Sequence, residues 1–214
     1  MKNNSESASD KILVRIYSHG RGWVFTPAHF KDLATQGNTA LVLKRLHEKG
    51  TIRRLDRGLY DYPKTDPQLG LLEPDTDTIA RALAGRDAVR LQASGAYAAN
   101  LLGLSTQVPM KRVFLTDGPS RTVQVGRRQI VLRRTTPKNM ATAGRISGLV
   151  IQALRHIGQK NVDAAVLHKL DQRLDQDARQ QLLKDIRYAP EWIARIIRQA
   201  GAANGLNELK GMIR

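Results

Sequence analysis

Between residues 38 and 57 the chain carries side chains suited to gripping a polyanion. Asn38, Leu41, Lys44 and Arg45 recur at helical spacing, and Arg53, Arg54 and Arg57 follow within a stretch of two-residue alternation. An amide such as Asn38 matches an adenine edge or a phosphate, whereas Lys44 and Arg45 match guanine or backbone oxygens. The three later arginines are suited to phosphates. Arg45 can equally form a structural ion pair with Asp32 or Glu48, and at this stage both readings stand.

Such side chains need elements to position them. Ile12, Leu13, Ile16 and Tyr17 predict a first helix from Ser9 that stops at His19-Gly20. Trp23-Val24-Phe25 is β-prone, with the two rings expected in the core, and Thr26-Pro27 supplies a cap and a first-turn proline for a second helix to Ala34. Gln36-Gly37-Asn38 reads as a tight turn. A third helix then runs to Gly50, with Thr39, Val42, Leu43 and Leu46 inward and Asn38, Leu41, Lys44, Arg45 and Glu48 outward. Past Gly50 the pattern becomes a basic hairpin, Ile52-Arg53-Arg54-Leu55 and Leu59-Tyr60-Asp61-Tyr62 around Asp56-Arg57-Gly58. Three helices and a hairpin in this order are the plan of a winged helix-turn-helix, whose last helix fits the major groove of DNA.

The rest of the chain alternates between strands and helices. A helix is expected over Asp75–Leu83, a strand over Val89–Ala93, and a turn leading into a small-residue helix over Ser94–Leu104. Three β segments follow at Arg112–Thr116, Arg121–Val125 and Gln129–Arg133. They bring Arg121, Arg127, Arg128, Arg133 and Arg134 against Asp117 alone, which predicts a second basic surface. Helices are expected at Ala141–Ile157, Val162–Leu170, Gln176–Tyr188 and Pro190–Ala200. Asp171, Asp175 and Asp177 lie among Lys169, Arg173 and Arg179 and read as a solvated charged face rather than a metal cluster. The expected class is α+β: a frayed tail (1–9), a winged helix-turn-helix (10–63), a linker (64–72), a mixed α/β segment (73–136) and a helical C-terminal part (137–214).

Composition narrows the function classes. The formal charge is +16, and it divides as +5, +5 and +6 over residues 1–68, 69–136 and 137–214, so no single tail collects it. That balance favours nucleic acid as partner, ahead of an acidic protein or an anionic membrane surface. The absence of cysteine excludes disulfides, thiolate nucleophiles, zinc ribbons and iron–sulfur sites. Residues Met1–Ser7 lack the apolar stretch of a secretory signal, from which a cytoplasmic location is expected. No apolar run approaches the ~18 residues of a membrane span. The five histidines form no zinc-binding helical pair, and neither a phosphate-binding glycine loop nor a dinucleotide fingerprint is present. Ser94 to Thr116 holds no acidic residue with which a nucleotidyltransferase-like loop would bind magnesium, so neither catalysis nor a cofactor or metal is expected.

Several of these stretches together resemble the AbiEi-type antitoxins of type IV toxin–antitoxin systems and their winged-helix relatives. The matching residues are Gly22-Trp23-Val24-Phe25-Thr26-Pro27, Lys44-Arg45-Leu46 through Gly50 to Leu55, and Arg57-Gly58-Leu59-Tyr60 with Pro63. To these add Ala93-Ser94-Gly95-Ala96-Tyr97 through Leu101-Leu102-Gly103-Leu104 with Pro109, so the resemblance covers about Asp10 to Thr136. It implies a winged domain that binds inverted repeats in its own promoter for autoregulation. It also implies that the remainder neutralises a nucleotidyltransferase-like toxin encoded beside it, in phage defence. The other class of function left open is a basic RNA-binding or membrane-surface protein with no operator and no toxin.

Overall fold

The structure is a computed structural model and describes residues 7–85 and 89–202. Among the described residues the fold is α+β, with nine α-helices and three small sheets: an N-terminal helix–strand–helix arrangement with further strands, then a β-sheet, then a helical C-terminal part. None of these helices is long and apolar enough to cross a membrane. Residues divide into two compact units, the first made of the chain up to Val89 together with Arg121–Ile130, the second of Arg90–Ser120 and the chain from Val131.

In the first unit, α1 (Ala8–His19) starts from a reciprocal cap in which Ser7 and Asp10 each satisfy the other's backbone N–H. Of the tail expected over 1–9, residues 1–6 lie outside the described residues, while Ser7–Ser9 form this cap and first turn. Strand β1 (Val24–Phe25) leads into a 3-10 turn, Pro27–Phe30. This replaces the full second helix expected to Ala34. The Phe30 carbonyl accepts N–H groups from both Leu33 (2.9 Å) and Ala34 (3.2 Å), and Thr35 is extended with ψ 157°, so the coil closes after one tight turn.

Helix α2 is Gln36–Glu48, and Gln36-Gly37-Asn38 is its first turn rather than a loop. Thr35 is the reason: its hydroxyl accepts the Asn38 N–H at 3.4 Å and its carbonyl accepts Thr39 N–H at 2.9 Å, so it is the N-cap. Strands β2 (Arg53–Asp56) and β3 (Leu59–Asp61) form the wing, and β3 pairs antiparallel with both β2 and β1 in the order β1-β3-β2. Gly58 has φ 69°, a left-handed conformation suited to glycine at this tip. Ile12, Ile16, Phe25, Phe30, Val42, Leu43, Leu46 and Ile52 make the core that joins α1, α2 and the wing.

The segment read as a linker contains a small hairpin, β4 (Thr65–Asp66) and β5 (Gly70–Leu71), with Asp66 Oδ1 accepting the N–H groups of Gln68 and Leu69, each at 2.9 Å. Helix α3 (Thr76–Ala84), capped by Asp75, packs Ile79, Ala80, Ala82 and Leu83 inward against β1. The second unit opens with β6 (Leu91–Ser94), α4 (Gly95–Leu101) and β7 (Lys111–Thr116), and β6 pairs antiparallel with β7. Strand β8 (Arg121–Val125) and the start of β9 (Arg128–Arg134) complete the first unit: Gln124 N–H donates to Asp56 Oδ2 at 2.9 Å, and Arg128 reaches Glu73 at 2.5 Å.

From Val131 the chain is again in the second unit, where β9 borders β7. The helix expected over Ala141–Ile157 is broken into α5 (Pro137–Met140) and α6 (Ile146–Ile157). The break falls at Gly144, whose φ of 78° is incompatible with a right-handed helix. Then follow α7 (Ala164–Arg173), α8 (Gln176–Asp185) and α9 (Glu191–Ala202). Ala98, Leu102, Val150, Leu154, Leu170 and Ile193 belong to the core of this helical half. Gly148 permits the close approach of α6 to β6, because a Cβ there would lie 2.3 Å from both Gln92 Oε1 and the Thr142 carbonyl. The acidic residues of α7 and α8 are not one solvated face: Asp171 is largely buried in an ion pair with Arg179, while Asp175 caps α8 through the Ala178 N–H.

Candidate nucleic-acid interface

The outward face of α2 follows from its inward one. Thr39, Val42, Leu43 and Leu46 are buried at i, i+3, i+4 and i+7, which leaves Asn38, Leu41, Lys44 and Arg45 exposed. Leu41 is 46% exposed, an apolar side chain standing among polar ones as a contact to a thymine methyl would require. Lys44 meets Glu48 at 3.8 Å with both groups well exposed, a pair too weak to hold the lysine in place.

Neither ion pair considered for Arg45 forms. Asp32 is held by Arg15 in a fork of 2.8 and 2.7 Å, and Arg15 also donates to the His29 carbonyl at 2.7 Å. The hydrogen bond that Arg15 donates to Asp32 raises the Arg15 pKa above its usual value, against the opposing effect of burial. With Asp32 engaged there and Glu48 beside Lys44, Arg45 has no carboxylate partner among the described residues.

The wing arginines separate into two kinds. Arg53 is half-buried, with Nε 3.0 Å from Asp61 Oδ1, Nη2 2.5 Å from Asp61 Oδ2, and Nη2 3.0 Å from the Leu72 carbonyl. Its donors point into the fold. Arg54 is exposed, with one long contact of 3.4 Å from Nε to the Asp56 carbonyl, and Arg57 is exposed at the wing tip. Asp56 orders that tip by accepting the Arg57 backbone N–H at 2.6 Å.

The second group of arginines is divided between the units. Arg121, Arg127 and Arg128 belong to the first, Arg133 and Arg134 to the second. Arg121, Arg127, Arg133 and Arg134 are exposed, while Arg128 is tied to Glu73 and to the Pro74 carbonyl at 3.3 Å. Lys31 gives no sign of being a site residue in the sequence, where it reads as one more charge on a surface helix. In the fold it lines a groove of about 880 Å³ together with Arg57 and Arg121. Arg121 is in the same unit as the other two because β8 returns to it.

The histidines of this unit have structural partners. His19 stacks on Trp23 with ring centroids 3.9 Å apart, and His29 Nδ1 accepts the Thr26 N–H at 3.1 Å. Phe25 is fully buried and Trp23 packs against it, so both rings belong to the core.

The family model described as a family of unknown function, DUF6088, matches residues 11–182. The chain belongs to the DUF6088 family. The DUF6088 match begins in α1 and ends in α8, so it spans the N-terminal helices and strands and most of the helical half. No curated protein matches the chain.

Proposed function

We propose that this DUF6088 protein is a DNA-binding antitoxin of the AbiEi type, acting in the cytoplasm to repress its own operon and to counteract a nucleotidyltransferase-like toxin. One observation carries the reading: the exposed face of α2 presents Asn38, Leu41, Lys44 and Arg45, and the wing of the same unit presents Arg54 and Arg57. A helix of this width enters the major groove with its polar face toward base edges, and a hairpin beside it meets the phosphate rows. The overall charge of +16 supplies the long-range attraction. Arg53 is left out of the contact set because its guanidinium is engaged by Asp61.

The test is a gel shift on the DNA upstream of the gene, in excess non-specific competitor. A retained complex on an inverted repeat supports the reading, and equal competition by random duplex or by RNA removes it. With four cations on phosphates, log K against log salt is expected to slope at about −3 to −4. Coexpression with the neighbouring gene tests the second half: growth rescue by this chain is the expected result, and an unrelated, non-toxic neighbour defeats it.

A further inference from the structure

The described residues lining the groove, Lys31, Arg57 and Arg121 among them, all belong to the first unit. Its polar lining adds the threonines at 26, 35, 39 and 122, and among the described residues no carboxylate lines it. None of the three cations has a salt-bridge partner among the described residues, although carboxylates elsewhere hold Arg15, Arg53 and Arg128. Three like charges around one concavity repel one another and raise the local potential, and an anion seated there relieves both effects.

Two further features point to the same occupant. Thr35 and Gln36, at the N-cap and first position of α2, form part of the wall, so the positive end of a 13-residue helix opens on the groove. Thr39, one turn along, is 1% exposed, and among the described residues its hydroxyl has no hydrogen-bond partner. A buried hydroxyl left unpaired is costly, and Thr39 is one of the residues lining the groove, where a ligand oxygen would relieve that cost. A volume of about 880 Å³ falls in the range of small-molecule sites. No aromatic ring lines it, so the wall offers nothing for a nucleobase to stack on.

We propose that this groove is a phosphate-binding site, which takes the phosphoryl groups of a small phosphorylated ligand or of a nucleic-acid backbone through Lys31, Arg57 and Arg121. The site stands on its own wall, whichever way the operator test falls. Calorimetric titration of the full chain with inorganic pyrophosphate is the direct measurement. Saturable one-to-one binding is expected, weakened about tenfold in Arg57→Gln and again in Arg121→Gln, as loss of a charged hydrogen bond implies. Both side chains are exposed, and unchanged thermal unfolding of the variants certifies that they fold. Lys160→Gln removes an exposed charge in the other unit and is expected to leave the affinity unchanged.

Pyrophosphate binding that is absent, or is lowered as much by Lys160→Gln as by Arg57→Gln, overturns the site. A second arm repeats the titration with the chain saturated by a duplex. Loss of the pyrophosphate heat supports the site with a nucleic-acid backbone as its occupant. Persistence of that heat supports it with a free phosphorylated ligand.

Discussion

Arg53 and Asp61 stand opposite each other in the β2–β3 register, and the guanidinium forks onto a carboxylate that is 1% exposed. The pair fastens the base of the wing, because the same guanidinium also holds the Leu72 carbonyl. Removing the arginine leaves a buried carboxylate without its cation, which costs ~3–5 kcal/mol. Arg53→Ala is therefore expected to lower the urea midpoint strongly. A variant as stable as the wild type that has lost only DNA affinity would restore Arg53 to the contact surface.

Lys44 and Arg45 should behave in the opposite way. Both are exposed, and among the described residues their only ion pair is the loose one to Glu48, so Lys44→Ala with Arg45→Ala is expected to change stability by no more than ~0.5 kcal/mol. Operator affinity should fall by ~1–3 kcal/mol for each side chain that reads a base edge in the wild type. Quantitative gel shifts beside thermal unfolding read both numbers. Unchanged affinity in the folded double variant removes α2 from the interface.

These two cases mark what the sequence could and could not disclose. The exposed residues of α2 were legible because Thr39, Val42, Leu43 and Leu46 repeat at helical spacing, which places their neighbours outside without any knowledge of tertiary structure. The engagement of Arg53 was not legible. Its partner lies across a bulged hairpin, and Asp61 reads along the strand as one more polar position. Local competition hid the start of α2 as well: Gly37 and Asn38 favour turns, but the Thr35 cap outweighs them. The meeting of Lys31 with Arg57 and Arg121 depends on a strand more than sixty residues further along the chain, beyond the reach of any periodicity.

Acid stability should depend on Asp185. This buried carboxylate accepts hydrogen bonds from Ser147 Oγ (2.5 Å), Gln181 Nε2 (2.9 Å) and Arg145 Nη1 (2.9 Å). Burial works against its ionisation, yet these donors and the charge of Arg145 outweigh it and hold the pKa below the usual carboxylate value. The folded chain then binds fewer protons than the unfolded one. The stabilisation is complete above the ordinary carboxylate pKa and is lost as pH falls through the lower folded value. Asp185→Asn is expected to cost ~1–3 kcal/mol at neutral pH and to flatten this limb. Urea midpoints from pH 7 to pH 3 measure it, and parallel curves for the two proteins would refute the assignment.

Thr39 separates folding from binding. Replacing it by Val keeps the shape and removes a buried hydroxyl that has no partner, so Thr39→Val is expected to raise stability by ~1 kcal/mol. The same change should weaken pyrophosphate binding. A variant that loses stability would show that the hydroxyl already has a partner in the folded chain.

The path of the chain also decides how the protein can be divided. Because β8 and the start of β9 return to the first unit, a fragment ending at Val89 would leave one oxygen of Asp56 without the Gln124 amide and Glu73 without Arg128. Cutting there would also strip Arg121 from the groove wall. Anyone wishing to excise the winged half should therefore graft residues 121–130 back through a short tether, since a plain truncation discards a strand that half cannot replace from its own stretch of sequence.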